Sequence, residues 1–366
     1  MIKACQILKI RHLPCFAHTL NLVVQDHFSA EPVQAILKRC KEVVKFFKSS
    51  CIAYEKFKEV QVQAWKGTAN EQKDPYTLVQ EVPTRWNSCF YMIQRILQTS
   101  ESLNKTLLKI RKAPAPLTID ELSILGDLEK ALGCFEEATK KISGSSYVTS
   151  SLIIPMVYGI HNNLTSEVMS TEIGDNFRLG LIESVSKRLF QYESRSLTRI
   201  STLIDPRFKK EAFRIKENAD QACTLLENEM TVYAKQEKSK SGNGNGDNRG
   251  FDEPKPKRTL FDFMEQKVKV KVNNVSADVI IIKRQYLERQ NASSEIDPLL
   301  FWKVNGTDLF PMQELALKYL QIPGTSVESE RNFSAAGYIS GQRRTRLKAN
   351  TLSTLVFLNK NSWLLD

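Results

Sequence analysis

Gly324-Thr325-Ser326-Val327-Glu328-Ser329-Glu330-Arg331-Asn332-Phe333-Ser334-Ala335-Ala336-Gly337 follows the apolar segment Leu315 to Ile322 near the C-terminus. Pro323 and Gly324 break what precedes and Thr325 stands where a helix cap is wanted. Glu328, three residues on, can reach back to the free amide, so the spacing predicts a capping box and a new helix. Glu330 then falls in its first turn or two. From spacing alone Glu328 and Glu330 serve equally well as complements to the positive end of the helix dipole or as functional acids.

The chain has 366 residues, 42% of them hydrophobic, which allows two or three domains with real cores. Its 52 Lys+Arg against 41 Asp+Glu give a net charge of +11, which favours a polyanionic partner such as nucleic acid. The seven cysteines are odd in number and unpaired in pattern, so they read as reduced thiols of an intracellular protein. No apolar run suits a bilayer and the N-terminus lacks a secretion-signal layout, which predicts a soluble protein with no membrane partner.

Cys15-Phe16-Ala17-His18-Thr19-Leu20-Asn21-Leu22 opens a helical pattern after the extended link Arg11 to Pro14. Cys15 and His18 form a poor metal pair, because zinc wants four ligands and His12, His27 and Cys5 have no recognised spacing. A packed Cys and a hydrogen-bonded His account for the pair more simply. Ile36, Leu37, Cys40, Val43, Val44 and Phe47 form an apolar stripe flanked by Lys38, Arg39, Lys41, Lys45 and Lys48, an amphipathic basic helix. Its charged face is a solvated surface by default and a phosphate-facing one in the sharper reading. In Glu81-Val82-Pro83-Thr84-Arg85-Trp86-Asn87-Ser88 the Arg85–Trp86 pair either clamps backbone and stacks on an unpaired base, or is a surface Arg beside a core Trp.

From Ile93 to about Tyr233 helical periodicity is nearly continuous, with segments at Leu103 to Ile110, Ile119 to Ile142, Leu152 to Leu164, Phe177 to Phe190, Phe208 to Ile215 and Ala219 to Tyr233. Asp205 reads as an N-cap with Pro206 at the first helical position. Lys235 to Arg258, rich in Ser, Gly and Asn, is expected to be unordered. It ends in Lys255-Pro256-Lys257-Arg258, a short basic run suited to nuclear import. Asp297-Pro298-Leu299-Leu300-Phe301-Trp302 opens a C-terminal block containing the basic run Arg343-Arg344-Thr345-Arg346-Leu347-Lys348 and the apolar Leu352, Leu355, Val356, Phe357 and Leu358.

Asp297-Pro298-Leu299 with Trp302, Phe310-Pro311, Tyr319-Leu320, Ser329-Glu330-Arg331, Phe333-Ser334, Gly337, Arg346-Leu347 and Phe357-Leu358 resemble the C-terminal dimerisation region of hAT superfamily transposases, most closely their domesticated BED-zinc-finger relatives. The Cys15–Leu22 block, Thr84-Arg85-Trp86-Asn87-Ser88 and Leu203-Ile204-Asp205-Pro206-Arg207-Phe208 resemble other blocks of the same family in the same order. The resemblance implies an RNase H-like core split by a helical insertion, where three carboxylates hold two divalent metals for DNA strand cleavage. Glu330 then corresponds to the third acid and His18 to a histidine near the active site. Arg85 and Trp86 correspond to flipped-base and flanking-DNA contacts, with Arg343, Arg344, Arg346 and Lys348 as further DNA-binding positions. Leu352, Leu355, Val356, Phe357 and Leu358 correspond to dimerisation positions.

The family's first two acidic blocks and its BED finger would precede Cys15, and nothing from Met1 to Pro14 is acidic. The expectation is therefore a mainly α chain that is the C-terminal remnant of an RNase H-like transposase core. It has five parts: 1–92 (last strand and following helices), 93–234 (helical insertion), 235–258 (unordered basic linker), 259–296 (connecting helical segment) and 297–366 (dimerisation region). Glu330 and His18 are expected to be vestigial, with no cofactor, no metal and no transposase activity. The partners expected are a second copy or a related hAT-type chain, and DNA, in the nucleus. An incomplete product of an active cut-and-paste transposase is the rival, and a fragment whose orphaned strand prevents stable folding is a third possibility.

Overall fold

The computed structural model describes residues 3, 7–8, 11–83, 85–242, 264, 275–341 and 347–362. In chain order its helices are α1 (Phe16–Phe28), α2 (Glu31–Ser49), α3 (Cys51–Trp65), α4 (Trp86–Leu108), α5 (Ile119–Ile142), α6 (Ile153–Ser166) and α7 (Glu172–Arg188). They continue with α8 (Ser196–Ile204), α9 (Lys216–Gly242), α10 (Val275–Glu288), α11 (Pro298–Asn305), α12 (Met312–Leu320), α13 (Val327–Ser340) and α14 (Ala349–Lys360). The fold is mainly α, and among the described residues there is no strand. The last sheet strand expected within 1–92 is not seen among the described residues of that stretch. Cys15 is extended, and the chain turns helical at Phe16. None of the described helices is long and apolar enough to cross a membrane.

Two compact units are present, each built from separated stretches of chain. One comprises residues 14–145, 156–191 and 325–366. At its centre α1 buries Phe16, Leu20, Val23 and Val24 completely, against α5, α7, α2 and α4. Burying one such side chain contributes about 1.5–3 kcal/mol, so this short helix organises the packing of its neighbours. α5 begins where its periodicity says it should, because Thr118 and Glu121 form a capping box: the Thr118 hydroxyl accepts from the Glu121 amide at 3.2 Å and the Glu121 carboxylate from the Thr118 amide at 2.8 Å. Further along α5, the buried carboxylate of Asp127 accepts from the amides of Ser170 (2.9 Å) and Thr171 (2.8 Å) and from the Thr171 hydroxyl (2.7 Å). The loop entering α7 is thereby fixed. Gly174 lies so close that a β-carbon there would stand 2.4 Å from Asp127. The helix read from the sequence as starting at Phe177 begins earlier, at Glu172, so Gly174, Asp175 and Asn176 lie inside it.

The other unit comprises residues 1–13, 146–155 and 192–324. Its core gathers Ile200, Leu203 and Ile204 of α8, Leu226 and Met230 of α9, Tyr286 of α10, Trp302 of α11 and Leu315, Tyr319 and Leu320 of α12. The Trp302 indole N–H donates to the Ile204 carbonyl at 2.7 Å, and its ring lies 5.0 Å from that of Tyr286. Asp205 is not the N-cap its Asp-Pro sequence suggests. It is fully buried at the C-terminal end of α8 and accepts from the Ser151 hydroxyl at 2.6 Å, from the Arg207 amide at 3.1 Å and from the Arg207 guanidinium at 2.9 and 2.7 Å. Residues 206–212 consequently run as turns, where a helix from Phe208 had been expected. α9 in turn continues to Gly242, eight residues into the 235–258 stretch expected to be unordered, and the rest of that stretch lies outside the described residues.

Candidate functional site

Four separated stretches of the first unit meet around one open cleft of about 190 Å3. It is lined by Ala17, His18 and Asn21 of α1, Arg85, Trp86 and Asn87 at the start of α4, Thr139 and Ser143 at the end of α5, and Val327 and Glu330 of α13. The start of α4 is held by short polar links. The Trp86 amide donates to the Asn21 side-chain oxygen at 3.3 Å, and the Ser88 hydroxyl accepts from the Val82 amide at 2.7 Å while lying 2.7 Å from the Arg85 carbonyl. α13 is anchored at its own start, where the Ser326 amide donates to the Cys15 sulfur at 3.3 Å and the Ser326 hydroxyl donates to Glu330 at 3.2 Å. Cys15 thus serves as an acceptor between elements, and not as half of a metal pair with His18.

The structure places His18, Arg85, Trp86 and Glu330 on the walls of this one cleft, although 312 positions separate His18 from Glu330 in the sequence (330 − 18). His18, Arg85 and Glu330 are exposed. Trp86 is not: only 3% of it reaches solvent, and its ring packs against Phe90 and edge-on against Phe135, with centroids 6.2 and 6.4 Å away. A ring so enclosed cannot receive an unpaired base on its face. Arg85 and Trp86 thus stand as a surface Arg beside a core Trp.

The capping box expected from Thr325 and Glu328 is not formed. Ser326 occupies the cap position, and the Glu328 carboxylate pairs with Arg331 one turn on and with Lys360 of α14 at 3.5 Å. Those two cations compete successfully for it, and the Arg331 hydrogen bond above all holds Glu328 below the usual carboxylate range. Glu330 is the one carboxylate on the cleft wall among the described residues, and Arg85 lines the same cleft. No group of three His, Cys, Asp or Glu among the described residues is placed to hold an ion. This donor set does not fit the two divalent metals that the resemblance implies, since hard cations want clustered oxygens.

Arg343, Arg344 and Arg346 lie outside the described residues, and Lys348 is exposed just before α14. Leu352, Leu355 and Val356 are half-buried, while Phe357 and Leu358 are 65% and 51% exposed. α13 and α14 pack on one another, yet neither has a buried residue. Phe333 and Tyr338 of α13, not singled out from the sequence as an apolar surface, are 78% and 91% exposed. Their signal was available: two large rings on one short helix whose other residues are mostly small or polar. Thr139, Ser143, Asn21 and Asn87 carried no such signal, because small polar residues at helix surfaces are common.

Residues 13–127 match the ZBED1 RNase-like helical domain, and residues 282–362 match the hAT family C-terminal dimerisation region. Among curated proteins the chain is similar to human zinc finger BED domain-containing protein 4, 23% identical over 349 residues that cover 95% of this chain and 29% of that protein. Mouse zinc finger BED domain-containing protein 6 is 22% identical across 96% of this chain and 37% of its own length. A putative AC transposase of Zea mays is 22% identical across 94% of this chain and 43% of its own. The chain therefore spans less than half the length of these relatives.

Proposed function

Because the chain carries a hAT family dimerisation region and an RNase-like helical domain of the ZBED1 kind, and is related along most of its length to BED zinc-finger proteins and a transposase, we propose that it works as a transposase-derived protein that dimerises and contacts DNA. The observation that carries this reading is the α13–α14 hairpin. Two helices without a buried residue, exposing Phe333, Tyr338, Phe357 and Leu358, form an unpartnered apolar surface of the sort that marks an interaction site. It falls inside the matched dimerisation region, and its occupant is a second copy of this chain.

Replacing Phe357 and Leu358 together with Asp tests the contact. Both are more than half exposed, so the double variant should keep its helical circular dichroism while light scattering reports a monomer where the wild type is a dimer. Equal masses for the two proteins would refute the assignment. The DNA contact is supported by the basic balance of the chain and by exposed Arg85 at the cleft mouth. The single carboxylate in the cleft supports a binding role over strand cleavage, so a nicking assay with magnesium or manganese should leave plasmid DNA intact, and a metal-dependent nick lost in Glu330→Gln would reverse that reading. Residence in the nucleus follows from the DNA partner and from the basic run at Lys255 to Arg258.

A further inference from the structure

On α2, Lys38, Lys41, Lys45 and Lys48 recur at intervals of three, four and three residues, and all four are exposed. At 3.6 residues per turn these positions fall within a sector of about 80°, in a single row about 15 Å long. Like charges three and four residues apart repel one another along a helix, so such a row is unfavourable unless something neutralises it. Some lysines of this unit are neutralised within their own helix, as Lys58 is by Glu55 (3.1 Å), Lys105 by Glu101 (2.5 Å), Lys140 by Glu136 (2.9 Å) and Lys141 by Glu137 (2.6 Å). What marks the α2 lysines is their spacing on one face. Glu42 stands beside the row but forms no ion pair, and among the described residues Lys38, Lys45 and Lys48 have no carboxylate partner.

The exception locates the row. Lys41 pairs with Glu81 at 2.5 Å, and Glu81 begins the short segment that delivers Arg85 to the cleft. Four residues of chain reach at most about 14 Å, so Lys41, within the row, is tied to the segment that carries Arg85 to the cleft wall. We propose that the lysine row of α2 is a phosphate track for duplex DNA flanking the cleft, its length matching about four phosphates of one strand at about 3.4 Å of helix axis each. This rests on the reading of the cleft as a DNA contact, and the test keeps the two apart.

The test is binding of the full chain to a fluorescent random-sequence duplex, followed by anisotropy over a series of salt concentrations. The variants are the triple Lys38→Gln, Lys45→Gln, Lys48→Gln and, separately, Arg85→Ala. Each phosphate contact contributes about 0.9 to the slope of log affinity against log salt, so the triple variant should flatten that slope by about 2.7 and Arg85→Ala by about 0.9. The three-Arg version of the triple variant should keep the wild-type slope. A triple variant with the wild-type slope overturns the track, as does a wild type that binds polyglutamate but no DNA, which would assign the row to an acidic protein. A flattened triple variant beside an unchanged Arg85→Ala would leave the track standing and remove the cleft reading. If circular dichroism shows the triple variant unfolded, Lys45→Gln alone decides, by whether the slope falls by about 0.9.

Discussion

Asp127 is a carboxylate in the interior of a helix bundle, and it is stable there because three donors are aimed at it. Burial pushes its pKa up, but the hydrogen bonds from Ser170 and Thr171 outweigh that, and the net value lies below that of a free Asp. A depressed folded-state pKa means that the contribution is present above the unfolded-state value of 3.8 and is lost as pH falls through the folded one. Asp127→Ala should cost roughly 3 kcal/mol at neutral pH, read by urea denaturation, with a smaller difference from wild type in strong acid. A constant difference at every pH would count against the charge as the cause. Gly174→Ala presses a methyl group on the same carboxylate and should destabilise as well. Trp86 and Arg85, adjacent in sequence, should separate cleanly in the same experiment. Trp86→Ala should cost about 3–5 kcal/mol as a core truncation, whereas Arg85→Ala stays within about 0.5 kcal/mol. A Trp86→Ala protein of unchanged stability would restore the ring to the role of a surface contact.

Helices whose ends are set locally were legible in the sequence. Ile119 to Ile142 is bounded in the structure at the same residues, because the Thr118–Glu121 box closes one end and Ser143 caps the other. Thr118→Ala should lower stability by about 1 kcal/mol through the lost cap. Where other side chains claim the same group, the cap signal fails. Asp205 has the local sequence of an N-cap, yet Ser151 and Arg207 claim its carboxylate. Glu328 has the spacing of a capping-box acid, yet Lys360, 32 positions on (360 − 328), and Arg331 draw it away. The cleft itself became legible only through resemblance to a family, since no periodicity links His18, Arg85 and Glu330. The resemblance did not carry the burial of Trp86, because a shared dipeptide says nothing about which ring face is covered.

At the scale of the whole molecule, two kinds of contact with opposite salt responses are expected of one chain. The DNA contact depends on exposed Lys and Arg and should weaken steeply as salt rises. The contact between copies depends on the apolar face of the α13–α14 hairpin, which counterions do not screen. The measurement that bears most directly on a dimerising protein is sedimentation equilibrium of the wild-type chain without DNA, at low and at high salt. A mass of twice the 41.8 kDa of one chain in both conditions is the predicted result, and a mass of one chain in both would contradict it.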